Sequence, residues 1–294
     1  MSKKRLIEMI ALGLQQIRDP YYHGFAAQLA FYFLMSIVPT LIVLSQLLGL
    51  FSVSLDALGD LIQKYVAKDA ANVMLKLISS QSTKGMNTIF IVITLWAASR
   101  AEFALMRIAN YTLTGGRSTG NGYWRERIRA IKTMAITMFT LAFGLIILVY
   151  GELIIEVVAA ALMNTIGAHY EINMFWLFIR WPVTMALYFL MVSYSYYILP
   201  SQRLAFKQIM PGSIFASVGM LVVTFGYKIY TDYMSNYNIL YGSMAAIVAV
   251  MMWFFFLAWA LVLGILCNKV WADTRTDKGS KKRKGRQANP VQVK

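Results

Sequence analysis

Apolar runs of helix length recur along the chain, separated by short polar stretches. They cover residues 25–51, 87–110, 131–153, 173–199, 209–230 and 240–268. A hydrocarbon core of ~30 Å takes about 20 residues of helix, so each run is long enough to cross a bilayer. The pattern predicts an all-α membrane protein with six transmembrane helices. Two further stretches show the helical period with one apolar face. In "MSKKRLIEMIALGLQQIRDP", Leu6, Met9, Ile10, Leu14 and Ile17 recur at i, i+3, i+4 spacing, interrupted by Glu8, Gln15, Gln16 and Arg18. This predicts a basic amphipathic helix on a membrane surface, stopped near Pro20, and not a cleavable signal peptide. In residues 52–86 an apolar stripe runs through Leu58, Ile62, Tyr65, Val66, Val73, Met74, Leu77 and Ile78. Asp56, Asp60, Lys64, Lys68 and Lys76 face elsewhere. An amphipathic segment on the opposite, extracytoplasmic side is expected there.

Sidedness follows from Lys and Arg. Lys3, Lys4, Arg5 and Arg18 precede the first span; Arg117, Arg125, Arg127, Arg129 and Lys132 lie between the second and third; Arg203 and Lys207 lie between the fourth and fifth. The tail adds Arg275, Lys278, Lys281, Lys282, Arg283, Lys284, Arg286 and Lys294, whereas residues 160–172 and 231–239 contain no Lys or Arg. Both termini are therefore expected in the cytoplasm. The expected organisation is an amphipathic helix over 1–24, a bundle over 25–271 and a disordered basic tail over 272–294.

Composition agrees with this division. The chain is 59% hydrophobic and 14% charged, against about 25% charged in soluble domains. A net charge of +15 would suggest nucleic acid, but it sits in loops and tail, so the expected partners are membrane lipids with anionic headgroups, not nucleic acid. A homo-oligomer is compatible with the sequence. The single cysteine, Cys267, excludes an internal disulfide and a multi-cysteine metal site. His23 and His169 fall on opposite sides in this topology and cannot share a metal.

Charges inside the apolar runs are the candidates for function. In "WAASRAEFALMRIANY" (96–111), Arg107 is expected at the cytoplasmic interface. Arg100 lies two turns deeper on the same face, which Asn110 continues; Glu102 points away from it. Glu152 and Glu156 are one turn apart near the outer end of the third span, and Arg180 lies in the fourth. A mid-membrane charge costs at least ~2.5–3.5 kcal/mol, so such groups face the bundle interior and find partners. Arg100, Arg180, Glu102, Glu152, Glu156 and Asn110 are thus candidates for a substrate path or for structural ion pairs. Pro39, Pro182 and Pro200 are candidate helix kinks, and Gly212, Gly219 and Gly242 candidate close-packing positions. No Walker loop, G-x-S-x-G or H-E-x-x-H occurs. Catalysis, a cofactor and a metal are not expected.

"AFYFLMSIVPTLIV" (30–43), Trp96 with "LMRIANY" (105–111), "YYILP" (196–200) with "PGS" (211–213), and "YGSMAAIVAVMMWFFFLAWALVLGILCN" (241–268) stand in an order that resembles the YihY/virulence factor BrkB family. The resemblance implies a six-span protein of the cytoplasmic membrane with an envelope-related role. Some members carry the label ribonuclease BN; the lack of a nuclease constellation argues against that label here. Many members place an acid two residues after the glycine of the last span, where this chain has Leu266 after Gly264. A transporter or flippase of a lipid-like or anionic amphipathic substrate is the expected function. The alternatives are a non-transporting scaffold or regulator and, last, an intramembrane enzyme.

Overall fold

A computed structural model describes residues 3–50, 88–143, 172–201, 204–233 and 244–287. These residues form α1 (Lys3–Ile17), α2 (Tyr21–Leu50), α3 (Thr88–Ala98), α4 (Arg100–Thr114), α5 (residues 123–143), α6 (Ile172–Ile198), α7 (Phe206–Tyr233) and α8 (Met244–Gln287). The expected amphipathic segment 52–86, and Glu152, Glu156 and Gly242, lie outside the described residues. So does the side chain of Arg180, although its backbone belongs to α6.

Among the described residues, three stretches are long and apolar enough to cross a membrane: Tyr21–Leu44, Phe206–Tyr230 and Val248–Thr274. They coincide with the first, fifth and sixth predicted spans. The predicted second span, 87–110, is not one helix. It breaks at Ser99, which takes φ −77° and ψ 1°, into the wholly apolar α3 and the amphipathic α4. α4 buries Ala101, Ala104, Leu105, Met106, Ile108 and Ala109 and exposes Arg100 and Arg107. The charges in this apolar-looking run belong to a second helix with an outer polar face.

α8 is the hub and packs on α7, α2, α1 and α4. Its contact with α7 is built from small residues. A Cβ on Gly212 would fall 2.0 Å from the Gly264 carbonyl oxygen, and one on Gly219 would fall 3.2 Å from the Ala260 Cβ. The backbones touch where Asn268, itself buried, accepts the Gly212 N–H through Oδ1 at 2.7 Å. Tyr196 of α6 donates its hydroxyl to the Leu261 carbonyl at 2.6 Å. Buried Leu29, Met106, Ile108, Val192, Ile209 and Val262 fill the centre.

The N-terminal turn follows from its residues. Asp19 accepts the Tyr21 N–H at 3.1 Å, and Pro20 needs no donor at a helix start. α2 therefore begins four residues earlier than the expected boundary at residue 25. α1, expected flat on a membrane surface, lies against α8. Arg5 donates to the Thr274 hydroxyl and the Trp271 carbonyl, each at 3.4 Å, with its guanidinium 4.3 Å from the Trp271 ring centre. Leu6, Ile7, Ile10 and Leu14 stay exposed on its other side. The segment expected as a disordered tail from residue 272 continues α8 to Gln287. Arg5 anchors the first turn of that extension, and each helical residue added to an existing helix costs little, Lys and Arg being good helix formers.

Candidate functional site

The break at Ser99 organises the polar residues near it. Ser99 N still bonds Leu95 O at 3.1 Å and Phe103 N bonds Ser99 O at 3.0 Å. The Trp96 carbonyl takes side-chain donors: the Ser99 hydroxyl at 3.0 Å and the guanidinium of Arg127. Arg127 comes from the start of α5 and is only 3% exposed. Its Cζ lies 4.1 Å from the Trp96 ring centre and 5.3 Å from that of Phe103. Its Nε is buried with no hydrogen-bond partner among the described residues. Burial pulls the Arg127 pKa below the usual guanidinium range; Tyr123 opposes the shift and neighbouring Arg100 adds to it. The group stays charged at neutral pH all the same. Tyr123 and Trp124, both exposed, rest against Trp96 with ring centres 6.4 and 6.1 Å away.

Glu102 turns to the other side of α4, as its spacing from Arg100 predicts. The Thr137 hydroxyl of α5 donates to its Oε1 at 3.3 Å, while Oε2 is buried without a partner among the described residues. The expectation that Arg100 sits inside the bundle is corrected: it is exposed, because the amphipathic α4 carries it on its outer face. Arg107 is exposed on that face too, but Asn110 is 2% exposed and lies on the packed side.

Asn110, expected along a substrate path, has both ends of its amide engaged by backbone. Its Nδ2 donates to Thr119 O at 3.1 Å, and its Oδ1 accepts the Ser201 N–H at 2.7 Å. Arg129 donates to the Leu199 and Pro200 carbonyls at 3.3 Å each. Pro200, expected as a kink, is a buried acceptor just past the end of α6. Pro39 and Pro182 lie within helices that continue through them. α4 ends on Gly115 at φ 64°, with Gly116 N–H bonding Tyr111 O at 2.9 Å; only glycine takes that left-handed geometry without strain. Tyr111 donates to Asp19 Oδ2 at 3.4 Å and Tyr22 to the Thr112 hydroxyl at 3.3 Å. A recess of about 490 Å³ beside this helix end is lined by Leu113, Thr114, Gly115, Arg117 and Lys269.

The segments before α2, between α4 and α5, after α6 and at the end of α8 thus gather at one end of the bundle. Asn110 is one clasp there. Asn110→Ala removes the side-chain partner of the half-buried Ser201 N–H and of the Thr119 carbonyl, at about 0.5–1.5 kcal/mol for each hydrogen bond lost. Thermal unfolding in detergent is expected to show a lower midpoint and earlier proteolysis between residues 114 and 122. An unchanged midpoint and cleavage pattern would show that the loop is held by other contacts.

Arg127, Trp96, Phe103, Asn268 and Gly264 had no functional place in the sequence reading. The signal for Arg127 was available only in hindsight of the break. Trp96, Arg100 and Phe103 share one helical face at i, i+4 and i+7, and the aromatic pair receives the guanidinium.

In comparison with known proteins, residues 14–289 match the family described as virulence factor BrkB. The chain is 28% identical over 245 residues to a Bacillus subtilis (strain 168) protein named as ribonuclease-like, YfkH, covering 81% of this chain and 86% of that one. It is 31% identical over 68 residues to the UPF0761 membrane protein PSHAa0171 of Pseudoalteromonas translucida (strain TAC 125), covering 23% and 22%. No solved structure matches.

Proposed function

The chain belongs to the virulence factor BrkB family, and from that premise we propose that it is a lipid-handling transporter of the bacterial cytoplasmic membrane. In this reading it crosses the membrane six times with both termini in the cytoplasm. Its substrate is a lipid-like or anionic amphipathic molecule. The observation that carries the reading is the pair of arginines at the Ser99 break, one exposed and one buried, with no carboxylate within ion-pair distance of either among the described residues. An uncompensated cationic site beside apolar helices suits a substrate with a charged head and an apolar body. The gathering of the basic segments at one end supports the sidedness.

A ribonuclease role, carried in the name of one relative, draws no support from the described residues, where no three of His, Cys, Asp and Glu come together. In this reading the protein is not an enzyme and uses no cofactor. A scaffold role is the competing reading, and one measurement separates the two. Vesicles holding the purified chain are expected to move a fluorescent phosphatidylglycerol between leaflets faster than empty vesicles. The double variant Arg100→Ala, Arg180→Ala is expected to lose most of that excess. Equal rates for the wild type and empty vesicles would remove the transport reading, and equal rates for the wild type and the variant would remove the arginines from it.

A further inference from the structure

We propose that Arg100 and Arg127 together form a binding site for the phosphate of an anionic lipid headgroup, entered past Tyr123 and Trp124. The site rests on the lipid-handling reading above and gives it an address. Trp96 and Phe103 each stand one helical turn from Arg100, before and after it. Both rings touch the Arg127 guanidinium, at 4.1 and 5.3 Å. Arg127 therefore lies over the helix face that carries Arg100, near enough for the two like charges to act on each other. Such a pair repels itself unless an anion joins it.

Among the described residues no anion does so. Glu102, two residues from Arg100, is turned to Thr137; Glu126, next to Arg127, accepts the Asn121 N–H; and neither arginine has a carboxylate within 4 Å among the described residues. One donor of the buried partner is left over: Arg127 gives a guanidinium N–H to the Trp96 carbonyl, while Nε has no acceptor. Arg100, exposed, brings its whole fork. Guanidinium forks match phosphate oxygens in pairs, which a single ammonium does not. The approach is flanked by Tyr123 and Trp124, 52% and 70% exposed, residue types that favour the headgroup level of a bilayer. Buried Arg127 fixes the position and exposed Arg100 closes on the ligand.

The full chain is placed in nanodiscs of phosphatidylcholine mixed equally with phosphatidylglycerol and released into mild detergent. Native mass spectrometry then identifies the lipids that stay bound. The wild type is expected to retain phosphatidylglycerol in preference to phosphatidylcholine. Arg100→Gln, at an exposed position, is expected to keep the wild-type melting temperature and to lose roughly tenfold in retained phosphatidylglycerol, the effect of one charge-assisted contact. Arg107→Gln, also exposed but two turns further along the helix than Arg100, is expected to retain it as the wild type does. Retention unchanged by Arg100→Gln, or reduced as much by Arg107→Gln, overturns the site. Displacement of the lipid by millimolar inorganic phosphate in the wild type would overturn the lipid assignment in favour of a soluble phosphate. The transport reading fails separately: a wild type that retains the lipid yet moves none between leaflets keeps the site and loses the transporter.

Discussion

Gly212→Val is expected to leave little folded protein. A Cβ at this position would stand 2.0 Å from the Gly264 carbonyl oxygen and 2.5 Å from the Asn268 side chain. The first obstacle is backbone, which no rotamer change can move, so α7 and α8 must separate along their main contact. Overpacking of this kind costs about 1–3 kcal/mol and at times more. Separation also breaks the Gly212 N–H bond to Asn268 and strands two buried polar groups, adding about 1–3 kcal/mol. Together these approach the lower end of the 5–15 kcal/mol that holds a typical domain folded. Gly264→Val should behave alike, since a Cβ there meets the Tyr196 hydroxyl at 2.5 Å and Ala216 Cβ at 2.7 Å. Gly226 of the same α7 has nothing within 4 Å. Gly226→Ala should be neutral or slightly stabilising, because alanine favours helix by up to about 1 kcal/mol. Recovery of monodisperse protein and its melting midpoint provide the comparison. Wild-type recovery of Gly212→Val, or collapse of Gly226→Ala, would refute the contact as described.

The second large effect is expected at Arg127, where the order of two variants is the informative result. Arg127→Met removes a charged hydrogen bond to the Trp96 carbonyl, worth about 1.5–3 kcal/mol, and the contacts with two aromatic faces, about 0.5–2 kcal/mol. Part is regained, because methionine needs no desolvation and the Ser99 hydroxyl still bonds that carbonyl. Arg127→Lys keeps the charge but replaces a weakly hydrated plane with a strongly hydrated point charge. It must leave that ammonium buried with no carboxylate beside it among the described residues. Lysine is therefore expected to destabilise more than methionine, the reverse of what a surface charge would show. Thermal unfolding of the two variants in one detergent decides it; a lysine variant that melts with the wild type would mean that the guanidinium geometry is idle.

The apolar runs were legible because burial in lipid demands uninterrupted sequence. Residues 25–51 and 209–230 foretell α2 and α7 within a few residues, 240–268 foretells the apolar part of α8 but not its continuation to Gln287, and Pro20 marks the turn after α1. The break at Ser99 was not legible. Serine is no helix breaker, and residues 87–110 keep a helical period throughout. What meets the carbonyl at the break is Arg127, 31 residues from Trp96 along the chain. Composition could read that arginine only as one more cytoplasmic charge. Asn110 shows a related failure, since its polar amide inside an apolar run suggested a path until its backbone partners, 9 and 91 residues away, were seen. Local pattern reports which groups must be satisfied; it does not report what satisfies them.

The clasp around Asn110 also imposes a schedule. Its amide waits for Ser201, 91 residues further on, and Arg129 waits for Leu199 and Pro200, 70 and 71 residues on. At a synthesis rate of about 5–20 residues per second, the ribosome needs roughly 5–20 s to supply those partners. During that interval α4 and the start of α5 have left the ribosome while Asn110 and Arg129 lack the acceptors and donors they will finally hold. The second half of the chain therefore acts as the latch that the first half is built to receive, and a pause in translation before residue 199 would prolong the unlatched state.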